Sequence, residues 1–169
     1  MKIKQVKVGY LETNCYILIK DNDCLIIDPG DEYEKILEQT KNLNILAILI
    51  THYHFDHIGA LNKFKNIKIY DYKQEEKEYK IKDFEFEILY TKGHTDDSIS
   101  FYFKKEKSIF VGDFVFKNSI GRTDLETGNI KEMKKSIEKL KQYPKEIKIY
   151  PGHGNQTTLK NELENNPFF

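Results

Sequence analysis

Residues 45–50 are almost wholly apolar and run straight into Thr51-His52-Tyr53-His54-Phe55-Asp56-His57. An apolar run without alternation suits a strand covered on both faces, in a sheet flanked by helices. Three imidazoles and a carboxylate within six residues are costly at the end of such a strand unless they bind something. Where the strand turns toward a helix expected to begin near Ile58, His52 and His54 can point the same way. Asp56 and His57 can then be presented beside them. That brings two sets of ligand atoms close together, the layout for two cations sharing one bridging oxygen.

The chain has five histidines, and the other two repeat the pattern. His94, in Gly93-His94-Thr95, follows the strand-like residues 84–90. His153, in Gly152-His153-Gly154, follows residues 147–150. Asp113 follows Gly112 after residues 108–111. Loops at one edge of a sheet can converge on a point. The expected metal ligands are therefore His52, His54, Asp56, His57, His94, Asp113 and His153, too many for one tetrahedral ion. Asp56 can serve both as ligand and as cap of the following helix. Asp28, in Asp28-Pro29-Gly30, is either a turn residue or a group that orients a ligand from behind. Imidazole and carboxylate without thiolate suit zinc, iron or manganese.

Periodicity supplies the frame. Residues 3–8 alternate, 16–19 and 25–27 form short strands split by the turn Asp21-Asn22-Asp23, and residues 31–42 have helical spacing with Asp31 as cap. Residues 67–70 and 84–90 read as strands flanking a Lys/Glu/Tyr-rich segment expected to be surface helix or loop. Residues 98–103 and 108–111 form a hairpin, residues 130–140 an amphipathic helix, 147–150 the last strand, and 159–163 a short closing helix. Clusters of strands separated by helices give an α+β class with helices outside the sheets. At 169 residues, one domain spanning 1–169 is expected.

Composition narrows the partners. Lys plus Arg equals Asp plus Glu at 27 each, which argues against a non-specific nucleic-acid binder. Cys15 and Cys24 lie in apolar runs and are expected to be buried free thiols. The sequence offers neither a spanning helix nor a secretory signal, so a cytoplasmic chain independent of membranes is expected, as monomer or homodimer.

With these residues in view, the sequence resembles the metallo-β-lactamase superfamily from about Ile3 to Pro167. Its HxHxDH motif stands here as His52, His54, Asp56 and His57, and its later ligands match His94, Asp113 and His153. The resemblance implies a four-layer αββα sandwich. It also implies two divalent metal ions, first choice zinc: His52, His54 and His94 on the first, Asp56, His57 and His153 on the second, Asp113 bridging. The segments Thr13-Asn14-Cys15-Tyr16, Asp28-Pro29-Gly30, Gly121-Arg122-Thr123-Asp124 and Asn166-Pro167-Phe168 look most like short glyoxalase II-like hydrolases. That implies hydrolysis of a small-molecule thioester or ester by a metal-bridging hydroxide, with Asp56 also orienting it as the catalytic residue. The alternative of the same fold is a mononuclear iron persulfide dioxygenase using His52, His94 and Asp113. True glyoxalase II enzymes carry a C-terminal helical domain that helps bind glutathione, and this chain is expected to lack it. Two positions depart from the family pattern: Asp96-Asp97 replaces Pro-Gly, and Phe114 replaces Thr. Both are expected to alter the substrate entrance.

Overall fold

The computed structural model describes residues 1–169. In chain order it contains β1 (Lys2–Val8), β2 (Thr13–Lys20), β3 (Asp23–Ile27), α1 (Tyr33–Gln39), β4 (Asn44–Leu49), α2 (Phe55–Ile58), a 3-10 turn (Leu61–Lys63) and β5 (Lys68–Tyr70). There follow β6 (Glu78–Ile81), β7 (Phe84–Tyr90), β8 (Ile99–Phe103), β9 (Ser108–Gly112), β10 (Val115–Phe116), β11 (Ser119–Ile120), α3 (Ile130–Leu140), β12 (Lys148–Pro151), β13 (Thr157–Thr158) and α4 (Leu159–Asn165). One sheet runs β1-β2-β3-β4-β5 and the other β13-β12-β9-β8-β7-β6, with β10-β11 a separate hairpin.

Successive side chains of a strand face opposite sides, and here both sides are buried. In the first sheet Tyr16, Leu18, Leu25, Ile27, Ala47 and Leu49 face inward. They meet Phe84, Phe86, Ile88, Phe101 and Phe110 of the second. The intervening Cys15, Ile17, Cys24, Ile26 and Ile48 face outward and pack under Ile36 of α1, with Ala60 and Phe64. On the far side of the second sheet, Ile109, Val111 and Ile149 pack under Met133, Ile137 and Leu140 of α3 and Leu159 of α4. Three apolar layers separate helix, sheet, sheet and helix, which is the αββα sandwich. The two cysteines are free and buried.

Four expectations are corrected. The Lys/Glu/Tyr-rich segment contains strand β6, antiparallel to β7. Its Tyr79 and Ile81 pack on the inter-sheet core while Glu78 and Lys80 stay exposed, an alternation hidden by a solvent-like composition. Asp31 does not cap α1. The cap position is Glu32, in the left-handed region at φ 48°, and Asp31 Oδ1 accepts only from the Glu32 N–H. The helix after the histidine motif begins at Phe55 rather than Ile58 and lasts one turn. Residues 147–150 are not the last strand, because β13 pairs with β12 beyond them. By contrast α3 keeps its expected bounds, its N-terminus capped by Asn129 accepting from the Lys131 and Glu132 amides. No helix is long and apolar enough to cross a membrane.

The registers bring the functional loops to one edge. Parallel β3 and β4 end together at Ile27 and Leu49, and parallel β9 and β12 at Gly112 and Pro151. Two backbone bonds stitch the sheets together there. Asn14 N–H donates to Gly152 O at 2.7 Å, and Ile99 N–H donates to Thr51 O at 2.9 Å.

Candidate metal centre

Every residue proposed from sequence as a ligand arrives at this edge. His52, His54 and His94 present one group of ligand atoms within 4.8 Å of one another, and Asp56, His57 and His153 present a second. Asp113 lies between. Its Oδ1 is 3.3 Å from His57 Nε2, and its Oδ2 is 3.6 Å from both His94 Nε2 and His153 Nε2. Asp56 Oδ2 is 3.2 Å from His153 Nε2 and accepts from the Thr13 hydroxyl at 2.8 Å. Asp56 does not cap α2; it sits in the first turn, after the cap residue His54.

Hydrogen bonds behind the rings fix which nitrogens face the centre. Asp28, on a left-handed turn at φ 50°, only accepts. It takes the Thr51 amide at 2.8 Å, the Thr51 hydroxyl at 2.6 Å and His57 Nδ1–H at 2.9 Å. The Thr51 oxygen, having given its proton to Asp28, accepts from His52 Nδ1–H at 3.1 Å. His94 Nδ1–H donates to Arg122 O at 2.8 Å, and His153 Nδ1–H to Leu11 O at 3.1 Å. His52, His94 and His153 therefore turn a bare Nε2 inward, and His57 Nε2 faces the same centre, bare once a cation displaces the proton that Asp113 and Asp28 otherwise hold there. His54 Nδ1 joins them, 3.1 Å from His52 Nε2 and 3.0 Å from His94 Nε2.

Such an arrangement of lone pairs and carboxylates is repulsive unless something positive lies among them. His57 Nε2 and Asp113 Oδ1 are buried with no hydrogen-bond partner. Groups of this kind cost roughly 1–3 kcal/mol each when left unpaired. Nitrogens around one zinc, each about 2.0–2.1 Å from it, stand roughly 3.3 Å apart. The observed separations match that spacing, so the residues present fit two cations.

Electrostatics agree. Burial, helped by the His57 and His94 rings, holds His52 well below the usual imidazole range, so it is neutral and able to ligate at pH 7. Burial alone would raise Asp56 and Asp113. The neighbouring imidazoles outweigh it and keep both carboxyls lowered. Burial would likewise lower His57, but Asp113 and Asp28 dominate and hold it up to about 10 when no cation competes.

Two glycines are required by close approach. A Cβ on Gly152 would stand 2.2 Å from Asp113 Oδ1. Gly93, at φ 144°, lets the His94 loop lie against Met133 at the start of α3, where a Cβ would meet the helix backbone at 2.4 Å.

Several contributors escaped the sequence reading. Thr51 immediately precedes the motif, and Thr13 opens a segment singled out for resemblance alone. Leu11 and Arg122 act through backbone oxygens, which residue identity cannot announce. Asp97 is not a free charge at the entrance. It accepts from the Thr95 hydroxyl at 2.6 Å and from Tyr53 N–H at 3.2 Å, tying the His94 loop to the His52–His54 loop. Phe114 is fully buried in the core under α3. Asp97→Ala is expected to destabilise the metal-free protein by about 1 kcal/mol, read as a lower urea midpoint. An unchanged midpoint would mean the two loops are held by other contacts.

The comparisons follow this geometry. The metallo-β-lactamase superfamily model matches residues 8–73 and 66–153. The chain belongs to the metallo-β-lactamase superfamily. It is 36% identical to a probable metallo-hydrolase, YqgX, of Bacillus subtilis, over 99% of this chain and 97% of that protein. It is 31% identical to the hydroxyacylglutathione hydrolase GloC of Haemophilus influenzae, over 99% and 98%. Among solved structures it is similar to the BLEG-1 B3 metallo-β-lactamase, with a TM-score of 0.95, 33% identity and 99% coverage of both chains. TTHA1623 in a di-iron-bound form gives a TM-score of 0.88 at 32% identity, covering 98% of this chain and 100% of that one. ETHE1 from Myxococcus xanthus gives 0.89 at 27%, covering 99% and 84%. The superfamily membership and the metallo-hydrolase relatives make this chain a metallohydrolase of that family, with a His/Asp cluster suited to divalent metal.

Proposed function

We propose that this chain hydrolyses a small-molecule thioester or related ester at a two-metal site. One observation carries the reading: the buried, unpartnered His57 Nε2 and Asp113 Oδ1, beside a second complete ligand group. His52, His54 and His94 would hold one cation, Asp56, His57 and His153 the other, and Asp113 both, with zinc the first choice. Bound divalent cations supply an acidified water near neutral pH and polarise the scissile carbonyl.

The chain's own residues do the rest. Asp28 and Thr51 hold His52 and His57 in the ligating tautomer, and Arg122 O and Leu11 O do so for His94 and His153. Asp56, kept ionised by His153 and Thr13, orients the attacking water. The water gives up a proton to solvent as its oxygen bonds to the carbonyl carbon. As the carbonyl re-forms, the C–S bond breaks and its electron pair leaves with sulfur, giving the carboxylic acid and a thiolate that takes a proton from solvent. A thiolate is a good enough leaving group to need no side-chain acid, and no histidine is left over to supply one. Support also comes from the relatives named metallo-hydrolase and hydroxyacylglutathione hydrolase.

The Gly121-Arg122-Thr123-Asp124 segment and the likeness to ETHE1 favour a second reading, a mononuclear iron enzyme oxidising a persulfide. It leaves His54, Asp56, His57 and His153 without a role, which is why it ranks second. Elemental analysis of protein purified without chelators separates the two. About two divalent ions per chain, with turnover of a thioester or related ester from a panel of thioesters and lactones, is the expected result. A single iron with oxygen uptake on a persulfide overturns it.

A further inference from the structure

Beside the metal centre lies a cavity of about 240 Å³ whose wall includes Asp56 of the second ligand group and Thr13, which donates to it. Its apolar lining is Val8, Tyr10, Leu11 and Phe55. Three of these are exposed far beyond what a core residue tolerates: Tyr10 at 83%, Phe55 at 64% and Leu11 at 42%. Apolar side chains clustered around a concave polar site mark a ligand-binding surface. Tyr10 and Leu11 belong to the loop between β1 and β2, and the backbone of that loop is fixed. Leu11 O receives His153 Nδ1–H, and Glu12 N–H donates to Gly9 O. The apolar wall is thus held in place by a candidate ligand.

Charge decides what the wall can take. No lysine or arginine lines the cavity, while Asp31 and Asp56 do. Lys7 and Lys35, on the adjoining β1 and α1, are engaged by Glu12 at 3.0 Å and Glu32 at 3.2 Å. Asp56 is committed to the cation, so an anionic group such as a glutathione carboxylate would find Asp31 in this wall and no basic side chain to pair with. An uncharged hydrocarbon group would cover Leu11 and Phe55 from water. The volume equals roughly eight waters at about 30 Å³ each, room for a chain of about six carbons.

Resting on the proposed thioester hydrolysis, we infer that this cavity is the specificity subsite for an uncharged hydrocarbon group of the substrate. The chain therefore takes neutral apolar thioesters in preference to glutathione thioesters. The hydrocarbon can be attached to the scissile carbonyl or to the leaving sulfur.

The test uses the metal-loaded enzyme. One series lengthens the acyl group of S-acyl-N-acetylcysteamines from acetyl to octanoyl, and the other lengthens the alkyl group of S-alkyl thioacetates. The series whose chain enters the cavity should gain up to about fourfold in kcat/KM per methylene, levelling near six carbons. Leu11→Ser and Phe55→Ser should at least halve that slope on a logarithmic scale. A binding readout is independent of turnover: 1-hexanol should shift the methyl NMR signals of Leu11 and Val8, and ethanol should not. Flat series with unmoved methyls, or S-lactoylglutathione hydrolysed faster than every neutral thioester, overturns the inference and leaves thioester hydrolysis standing. Shifted methyls without turnover of any thioester uphold the cavity and remove the proposed reaction.

Discussion

Asp113→Ala is expected to lower thioester turnover by about three orders of magnitude or more and to reduce bound metal to one ion per chain or fewer. Asp113 faces both groups, with Oδ1 toward His57 and Oδ2 toward His94 and His153. Removing it takes a charge from each cation at once. Lewis-acid assistance is worth several kcal/mol, and about 4 kcal/mol corresponds to roughly a thousandfold in rate. Asp113→Asn separates charge from shape. It fills the same space but turns an N–H₂ donor toward at least one ring nitrogen, so metal loss should be nearly as severe. A site that was only a hydrogen-bonded histidine cluster would behave otherwise. Stability would fall, while turnover and metal content would not follow the carboxylate. Turnover within tenfold of the parent in Asp113→Ala would remove the two-metal reading.

What could be read in advance follows from how local each signal is. The run at residues 45–50, the motif beginning at His52 and the glycines flanking His94 and His153 carry their meaning in adjacent residues. The sequence therefore announced that these groups would lie at strand ends. It could not announce the tautomers, because those depend on contacts far apart in the chain: Asp28 with His57, Arg122 O with His94, Leu11 O with His153. Strand β6 was missed because Glu78-Tyr79-Lys80-Ile81 has the composition of a solvated surface, and only its pairing with β7 shows the alternation. Asp97 and Phe114 were both placed at the entrance by their departure from a family pattern. One is a loop tie and the other a core residue, since a departure says that something changed but not which way the side chain turns. The Asn166-Pro167-Phe168 segment was noted only as a likeness. Its asparagine donates to Ser119 O at 3.0 Å and to Glu162 at 2.8 Å, anchoring the β10–β11 hairpin between Asp113 and the Arg122 oxygen that orients His94.

Asp28→Asn should weaken metal binding by about 10–100-fold at both groups, although Asp28 touches neither cation site directly. Asparagine is nearly isosteric and tolerates the left-handed backbone at φ 50°, so the turn survives. The direction of the hydrogen bonds does not. An acceptor-only carboxylate forces the Thr51 hydroxyl to donate to it, and therefore to accept from His52 Nδ1–H. The same carboxylate takes the His57 proton. An amide N–H₂ at that oxygen turns Thr51 into an acceptor from residue 28 and frees its proton for His52 Nδ1. His52 Nε2 then carries the hydrogen and cannot ligate. His57 loses its acceptor in the same step, so the defect reaches both groups through one atom. The metal-free protein supplies a second readout. Because folding raises His57 from the ordinary 6.5 to about 10, its contribution to stability is fully present below pH 6.5 and is lost as pH rises through 10. The parent should thus lose on the order of 4 kcal/mol from this residue across that window. Asp28→Asn removes one of the two carboxylates responsible, so it should be less stable at pH 6.5 and fall less steeply toward pH 10. Urea unfolding across that range and a competition titration with a chromophoric chelator at pH 7 measure the two effects. Unchanged metal affinity together with an unchanged pH slope would mean that Asp28 merely shapes a turn.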